Sequence, residues 1–159
     1  MQAMKKLITI LFVVSSMHAP SQSNDTLVRF VNPSAVVTPK GYSASVQVDL
    51  GTARMLLISG QVPLDKQGGL VGKGDFGKQV EQVFTNIQGI IQEAGGSIDN
   101  LVKINVYVTD MSQLQVFRDV RDKFVNRQHP PASTLVQVVK LFRDDVMVEI
   151  DATAVITKR

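Results

Sequence analysis

From Asp75 to Ala94 the apolar residues Val80, Val83, Phe84, Ile87, Ile90, Ile91 and Ala94 recur at intervals of three and four, which places them on one face of a helix. Asp75 suits the N-cap, because its side chain can accept from a free amide of the first turn, and the Gly95-Gly96 pair ends the helix. A second helical period runs from Ser112 to Asn126 through Leu114, Phe117, Val120, Phe124 and Val125. The remaining apolar stretches alternate with polar residues or are rich in β-branched ones. They predict strands at Leu27 to Val31, Ser43 to Leu50, Met55 to Gln61, Leu101 to Thr109, Ala132 to Val139 and Val146 to Ile156.

The resulting order, β-β-β-α-β-α-β-β, predicts an α+β domain whose two helices cover one face of a sheet. Residues two apart on a strand share a face. The even positions are apolar almost throughout: Ala44, Val46, Val48 and Leu50, then Leu56 and Ile58, Val102 to Val108, Val136 and Val138, and Val148 to Ala154. They are expected under the helices. The odd positions mix Ser43, Ser59, Asn105, Tyr107, Ser133, Gln137, Glu149 and Asp151 with Met55, Leu57, Leu135, Val139, Met147 and Val155. A face that apolar is expected to be partly covered by another subunit, with its polar groups converging on clefts between chains.

Composition narrows the function classes. A length of 159 residues with 44% hydrophobic and 19% charged residues fits one globular domain with a full core. The chain has no cysteine, which excludes disulfides, thiolate nucleophiles and cysteine metal sites. Its first 21 residues place Lys5 and Lys6 before an apolar run from Leu7 to Val14 and then small and polar residues, the layout of a secretory signal peptide. The run is much shorter than the roughly 20 residues of a spanning helix, so an exported, periplasmic or secreted protein without a stable membrane anchor is expected. Cleavage after Ser21 leaves a single domain over residues 22–159. It removes two of the 17 basic residues and none of the 14 acidic ones, which leaves a net charge of +1. With no basic stripe and no interleaved aromatics, nucleic acid is not an expected partner.

Three local motifs bear on chemistry. The stretch GGLVGKGDFG lacks the spacing of a phosphate loop, since Gly74 follows Lys73 where Ser or Thr would stand, and is read as a connection. His129 is the one histidine beyond the export segment, so neither a zinc site nor a Ser-His-Asp triad is expected. Glu149 and Asp151 share a face among Met147, Leu135 and Leu57. A solvated polar edge is one reading of the pair. In a partly dry cleft, Glu149 would instead have a raised pKa and handle protons.

Taken in order, GYSASV, LISGQVPLD, NIQGII, EAGGSIDNLVKINVYVTDM, HPPASTLVQVVKL and VMVEIDATAV closely resemble the Rid family of reactive intermediate deaminases, also called the YjgF or liver perchloric-acid-soluble protein family. The resemblance covers the chain from about Asn32 to its end. It implies a chorismate-mutase-like fold and a homotrimer with three sites at the subunit clefts. It also implies hydrolysis of 2-imino or enamino acids to 2-keto acids and ammonia with no cofactor. Carried over position by position, Tyr42 and Ser59 match the family's site tyrosine and serine, and Glu149 matches the glutamate that positions or activates water. The active deaminases read Pro-Ala-Arg-Ser where this chain has Pro131, Ala132, Ser133 and Thr134. Ser133 thus stands in place of the arginine that grips the substrate carboxylate, and Leu135 in place of a frequent cysteine. A hydroxyl cannot replace a bidentate guanidinium, and losing such a partner costs about 2–5 kcal/mol of binding.

The expectation is therefore a trimer that binds, and as a C=N hydrolase turns over, a small imine, enamine or carbonyl-type molecule without the usual carboxylate contact. Glu149 would manage water, and Tyr42, Ser59, Ser133 and Leu135 would surround the ligand. The alternative is a non-catalytic trimer that binds a small ligand or a protein partner at the same clefts. Ribonuclease activity has no support in the charge pattern.

Overall fold

The computed structural model describes residues 27–158; the export-signal reading falls on residues 1–21, outside them. In chain order the described elements are β1 (Val28–Val31), β2 (Ser45–Asp49), β3 (Ala53–Gln61), α1 (Phe76–Glu93), β4 (Leu101–Val108), α2 (Leu114–Arg121), β5 (Ala132–Gln137) and β6 (Val148–Thr157). A short 3-10 turn, Met111–Gln113, leads into α2, and the helix ends earlier than its apolar period suggested. The strands form one sheet in the order β1-β2-β3-β6-β4-β5, so β1 and β5 are its edges. All neighbours are antiparallel except β4 and β5. A parallel pair needs a crossover, which α2 supplies.

α1 begins where the sequence predicted, with the Asp75 carboxylate accepting from the Lys78 amide at 3.0 Å. At its other end the Arg54 guanidinium donates to the Ala94 carbonyl at 2.8 Å, satisfying an orphan acceptor, and Gly95 turns the chain away at φ +84°. The inner face of α1 lies on β3, β4 and β6. Leu56, Ile58, Ile104, Val106, Val108, Val148, Ile150, Ala152 and Ala154 are buried there beneath Val80, Val83, Phe84, Ile87, Ile90 and Ile91. Phe84 meets Phe117 of α2 and stacks on Phe124 with centroids 5.2 Å apart, which locks the second helix to the first.

The even-position rule holds on β3, β6 and most of β4, and fails on β2 and β5. On β2, Ser45 lies opposite Ile58 and Gln47 opposite Leu56, so the odd residues face the helices. Val46 and Val48, expected in the core, lie opposite Leu57 and Met55 on the other face. On β5, Ser133 is opposite Ile104 and Leu135 opposite Val106, whereas Val136 is opposite Tyr107. Val102 is exposed because the β4–β6 register shifts between Leu101 and Lys103. The physical reason is that numbering parity does not carry across a loop: each turn resets which residues point inward. The consequence is a bare face more apolar than the sequence suggested. Val28, Phe30, Val46, Val48, Met55, Leu57, Val136 and Val155 all stand on it, with Phe30 74% exposed.

Candidate functional site

At Ser59 and Gly60 the β3–β6 ladder slips: three steps along β3, from Ile58 to Gln61, match two along β6, from Ala152 to Ile150. The extra residue makes a β-bulge, a device that re-aims side chains beside a site. The Ser59 hydroxyl donates to the Ser43 carbonyl at 2.7 Å, its amide to the Ala44 carbonyl at 3.0 Å, and its own carbonyl accepts from the Gln61 side chain at 2.9 Å. Glu149 of β6 packs its carboxyl over Gly60, where a Cβ would collide with Oε1 and sit 2.9 Å from Cδ. What favours glycine here is the space that the Glu149 carboxyl takes up, not the backbone angle. Tyr42 is exposed and precedes Ser43, the residue that holds Ser59. Tyr42, Ser59 and Glu149 thus stand along one continuous segment of contacts.

Two buried polar residues of α1 fix the backbone on either side of this segment. Gln79, fully buried, donates to the Gly72 and Asp145 carbonyls and accepts from the Met147 amide at 2.8 Å, which sets the approach to Glu149. Asn86 donates to the carbonyls of Val62 and Leu64 at 3.1 and 2.9 Å, just past the bulge. Neither was singled out from the sequence. The available signal was a polar residue within the inward stripe of α1, where an uncompensated amide would cost on the order of 1–3 kcal/mol.

The two carboxylates of β6 have different surroundings. Asp151 accepts from the Asn105 amide at 2.8 Å and from the Tyr107 hydroxyl at 3.2 Å, so both its oxygens are held. The charge and hydrogen bond of Asp151, with burial and the Glu149 charge, raise the Tyr107 pKa and keep the phenol a donor. Glu149 is half-buried and accepts no hydrogen bond from any described residue. Burial first, and the neighbouring Asp151 charge second, push its pKa above the ordinary glutamate value. Asp151 is therefore held in place by its two donors, while Glu149 is the carboxyl whose pKa is raised.

Ser133 and Leu135 are not brought to Glu149 within one chain. They point to the helix side of the sheet, while Glu149 lies opposite Tyr107 on the bare side, with β4 between β6 and β5. This corrects the expectation that odd positions of β5 share the Glu149 face. Leu135 packs against the edge of the core. Ser133 lines a surface pocket of ≈ 330 Å³ together with Ile104, Arg121, Asp122, Val125, Arg127 and the Pro130-Pro131 pair. Two guanidinium groups, on α2 and on the loop after it, thus line the same pocket as Ser133, a proximity no local sequence pattern signals.

The fold corresponds to that of known proteins. A profile of the family described as Endoribonuclease L-PSP matches residues 33–156, and the chain belongs to this family, the Rid or YjgF proteins. It is 32% identical over 113 residues to a RutC family protein of Pyrococcus abyssi, covering 71% of this chain and 84% of that one. Protein HMF1 of Saccharomyces cerevisiae is 30% identical over 116 residues, 73% and 85% of the two chains. Among solved structures, a putative endoribonuclease of Thermotoga maritima superposes with a TM-score of 0.70 at 33% identity, covering 82% of this chain and 98% of the other. TdcF of E. coli, solved with bound serine, superposes with a TM-score of 0.68 at 28% identity, covering 82% and 99%.

Proposed function

We propose that this protein self-associates through the bare face of its sheet and, at clefts between copies, binds and hydrolyses a small imine or enamine. The observation that carries the reading is the Glu149 carboxyl, half-buried, without a donor among the described residues, and packed on the Gly60 bulge beside Ser59. Bound serine in TdcF supports a small polar molecule as the ligand class. Since Ser133 and Glu149 occupy opposite faces, a single site containing both requires two copies, one giving Tyr42, Ser59 and Glu149 and the next giving Ser133 and Leu135. The homotrimer that the family resemblance implies is the assembly proposed to meet that requirement.

The chemistry follows from the positions. Glu149 as carboxylate takes a proton from water as its oxygen adds to the carbon of the protonated imine, giving a neutral carbinolamine. It returns that proton to nitrogen, then takes the hydroxyl proton as the C–N bond breaks, which leaves a carbonyl compound and ammonia, and the ammonia carries the last proton away as ammonium. A raised pKa suits both steps, because the group must first accept a proton and then release it. Tyr42 and the Ser133 hydroxyl orient the ligand, and the fixed bulge at Ser59 shapes the wall. Because position 133 carries no charge, the ligand's anchor differs from that of the arginine-bearing deaminases.

The test generates imines in situ with an amino-acid oxidase and traps what remains with semicarbazide. The wild type is expected to lower the trapped fraction, and Glu149→Ala to abolish that effect. Wild-type protein that turns over no imine or enamine, yet still binds the keto acid, would establish the non-catalytic alternative. Export is proposed from the first 21 residues; mass spectrometry of the protein recovered from its source is expected to find an N-terminus at Gln22.

A further inference from the structure

We propose that the pocket beside Ser133 is a carboxylate site in which Arg127, approaching from the α2–β5 loop, supplies the charge that β5 lacks. The inference rests on the reading of Ser133 as a ligand-facing position and names the class of ligand: a small keto or imino acid carrying one carboxylate.

The pocket is built for one negative charge. Its floor is apolar, formed by the buried Ile104 and Val125, and Pro130 and Pro131 give it stiff walls. Three charged side chains stand on it. Arg121 commits Nε and Nη2 to Oδ1 of Asp122 at 2.9 and 2.7 Å, and its guanidinium lies 5.9 Å from the Phe117 ring centre. That pair is closed and close to neutral. Arg127 has only a 4.0 Å contact from Nε to the other Asp122 oxygen, and its side chain is 76% exposed. It carries the surplus positive charge of the pocket, with most of its five donors available.

The loop that carries Arg127 is pinned. The Asn126 side chain accepts from the Gln128 and His129 amides at 2.9 and 3.1 Å, and two prolines follow immediately. Arg127 therefore projects from a fixed turn, and only its side-chain rotamers are lost when a ligand binds. A carboxylate in the pocket would be gripped from the side by the Arg127 fork, while the Ser133 hydroxyl, which no described residue engages, donates a further hydrogen bond. An arginine at 133 would bring a third guanidinium into the space already lined by Arg121 and Arg127, so serine at 133 and arginine at 127 make a compatible pair.

Calorimetric titration of the mature protein with pyruvate, and with uncharged pyruvamide as the control, tests this. Wild type is expected to bind pyruvate at least tenfold more tightly than pyruvamide. Arg127→Gln is expected to remove that preference, Arg127→Lys to keep part of it, and the double variant Arg127→Gln with Ser133→Arg to restore it. Because Arg127 is exposed, thermal unfolding of each variant should match wild type. Arg127→Gln that binds pyruvate as tightly as wild type overturns the inference, and so does wild type that does not distinguish the two probes. The readout is separate from turnover. Arginine-dependent pyruvate binding without imine hydrolysis would defeat the hydrolase reading and leave this site standing; hydrolysis with Arg127-independent binding would do the reverse.

Discussion

On the helix side of the sheet, Leu56, Ile104 and Ile150 have no exposed surface, whereas on the other side Phe30 is 74%, Leu57 43% and Val136 41% exposed, although the same sheet supplies both sets. The first set gains its burial inside one chain, under Phe84 and its neighbours. The second set leaves apolar area in water, where each Å² later covered is worth roughly 25 cal/mol. Apolar alternation alone therefore does not say which face a chain will close for itself. In this protein the uncovered face also holds Glu149, Asp151, Tyr107 and Asn105, so the apolar surface left bare within one chain is also the surface that carries the candidate chemistry.

The contrast is broken most directly by truncating one aromatic from each face. Phe84→Ala removes a fully buried ring and is expected to cost about 3–5 kcal/mol in denaturant unfolding. Phe30→Ala, measured at concentrations low enough to hold the chain monomeric, is expected to stay within about 0.5 kcal/mol of wild type. Charge on the bare face should separate folding from assembly. Leu57→Lys is expected to shift sedimentation from an oligomer to a monomer while circular dichroism stays native, and a wild type that sediments as a stable monomer would remove the basis of that prediction.

Smaller changes sharpen the role of the bulge. In Gly60→Ala the new methyl meets the far end of the Glu149 side chain, which can swing aside, so little stability is lost while imine turnover is expected to drop tenfold or more. A loss of turnover matched by an equal loss of stability would point to a backbone role for Gly60 instead. The smallest effect expected is a pH dependence of stability. The pKa of Glu149 is raised in the folded state, so between the unfolded and folded values the native chain holds the extra proton. That contribution favours folding below the unfolded value and is lost as pH rises through the window up to the folded one. Glu149→Gln should therefore flatten this descent and raise Tm near neutral pH.

Much of this was readable in the residues. The two amphipathic periods locate α1 and α2, Asp75 marks the start of α1, and the alternating runs place the six strands along the chain, though not their order in the sheet. Tyr42, Ser59 and Glu149 stand out in the sequence as candidate site residues through the family resemblance, and Glu149 also because it shares a strand face with Asp151. The phases of β2 and β5 were not legible, because Val46, Val48 and Val136 are apolar for the sake of a second surface and mimic core positions. Equally hidden was the neighbourhood of Ser133. Arg121 and Arg127 meet it only because the α2 crossover lays the end of that helix and its loop over the start of β5, a contact set by three-dimensional path and not by spacing.

The division of labour between the two carboxylates is the centre of the account, and a carbon-13 NMR titration of the Glu149 side-chain carboxyl tests it most directly. The account predicts a midpoint above the ordinary glutamate value that moves down in Asp151→Asn, where the neighbouring charge is removed and burial remains. A Glu149 midpoint at or below the ordinary value in the wild-type protein would contradict it.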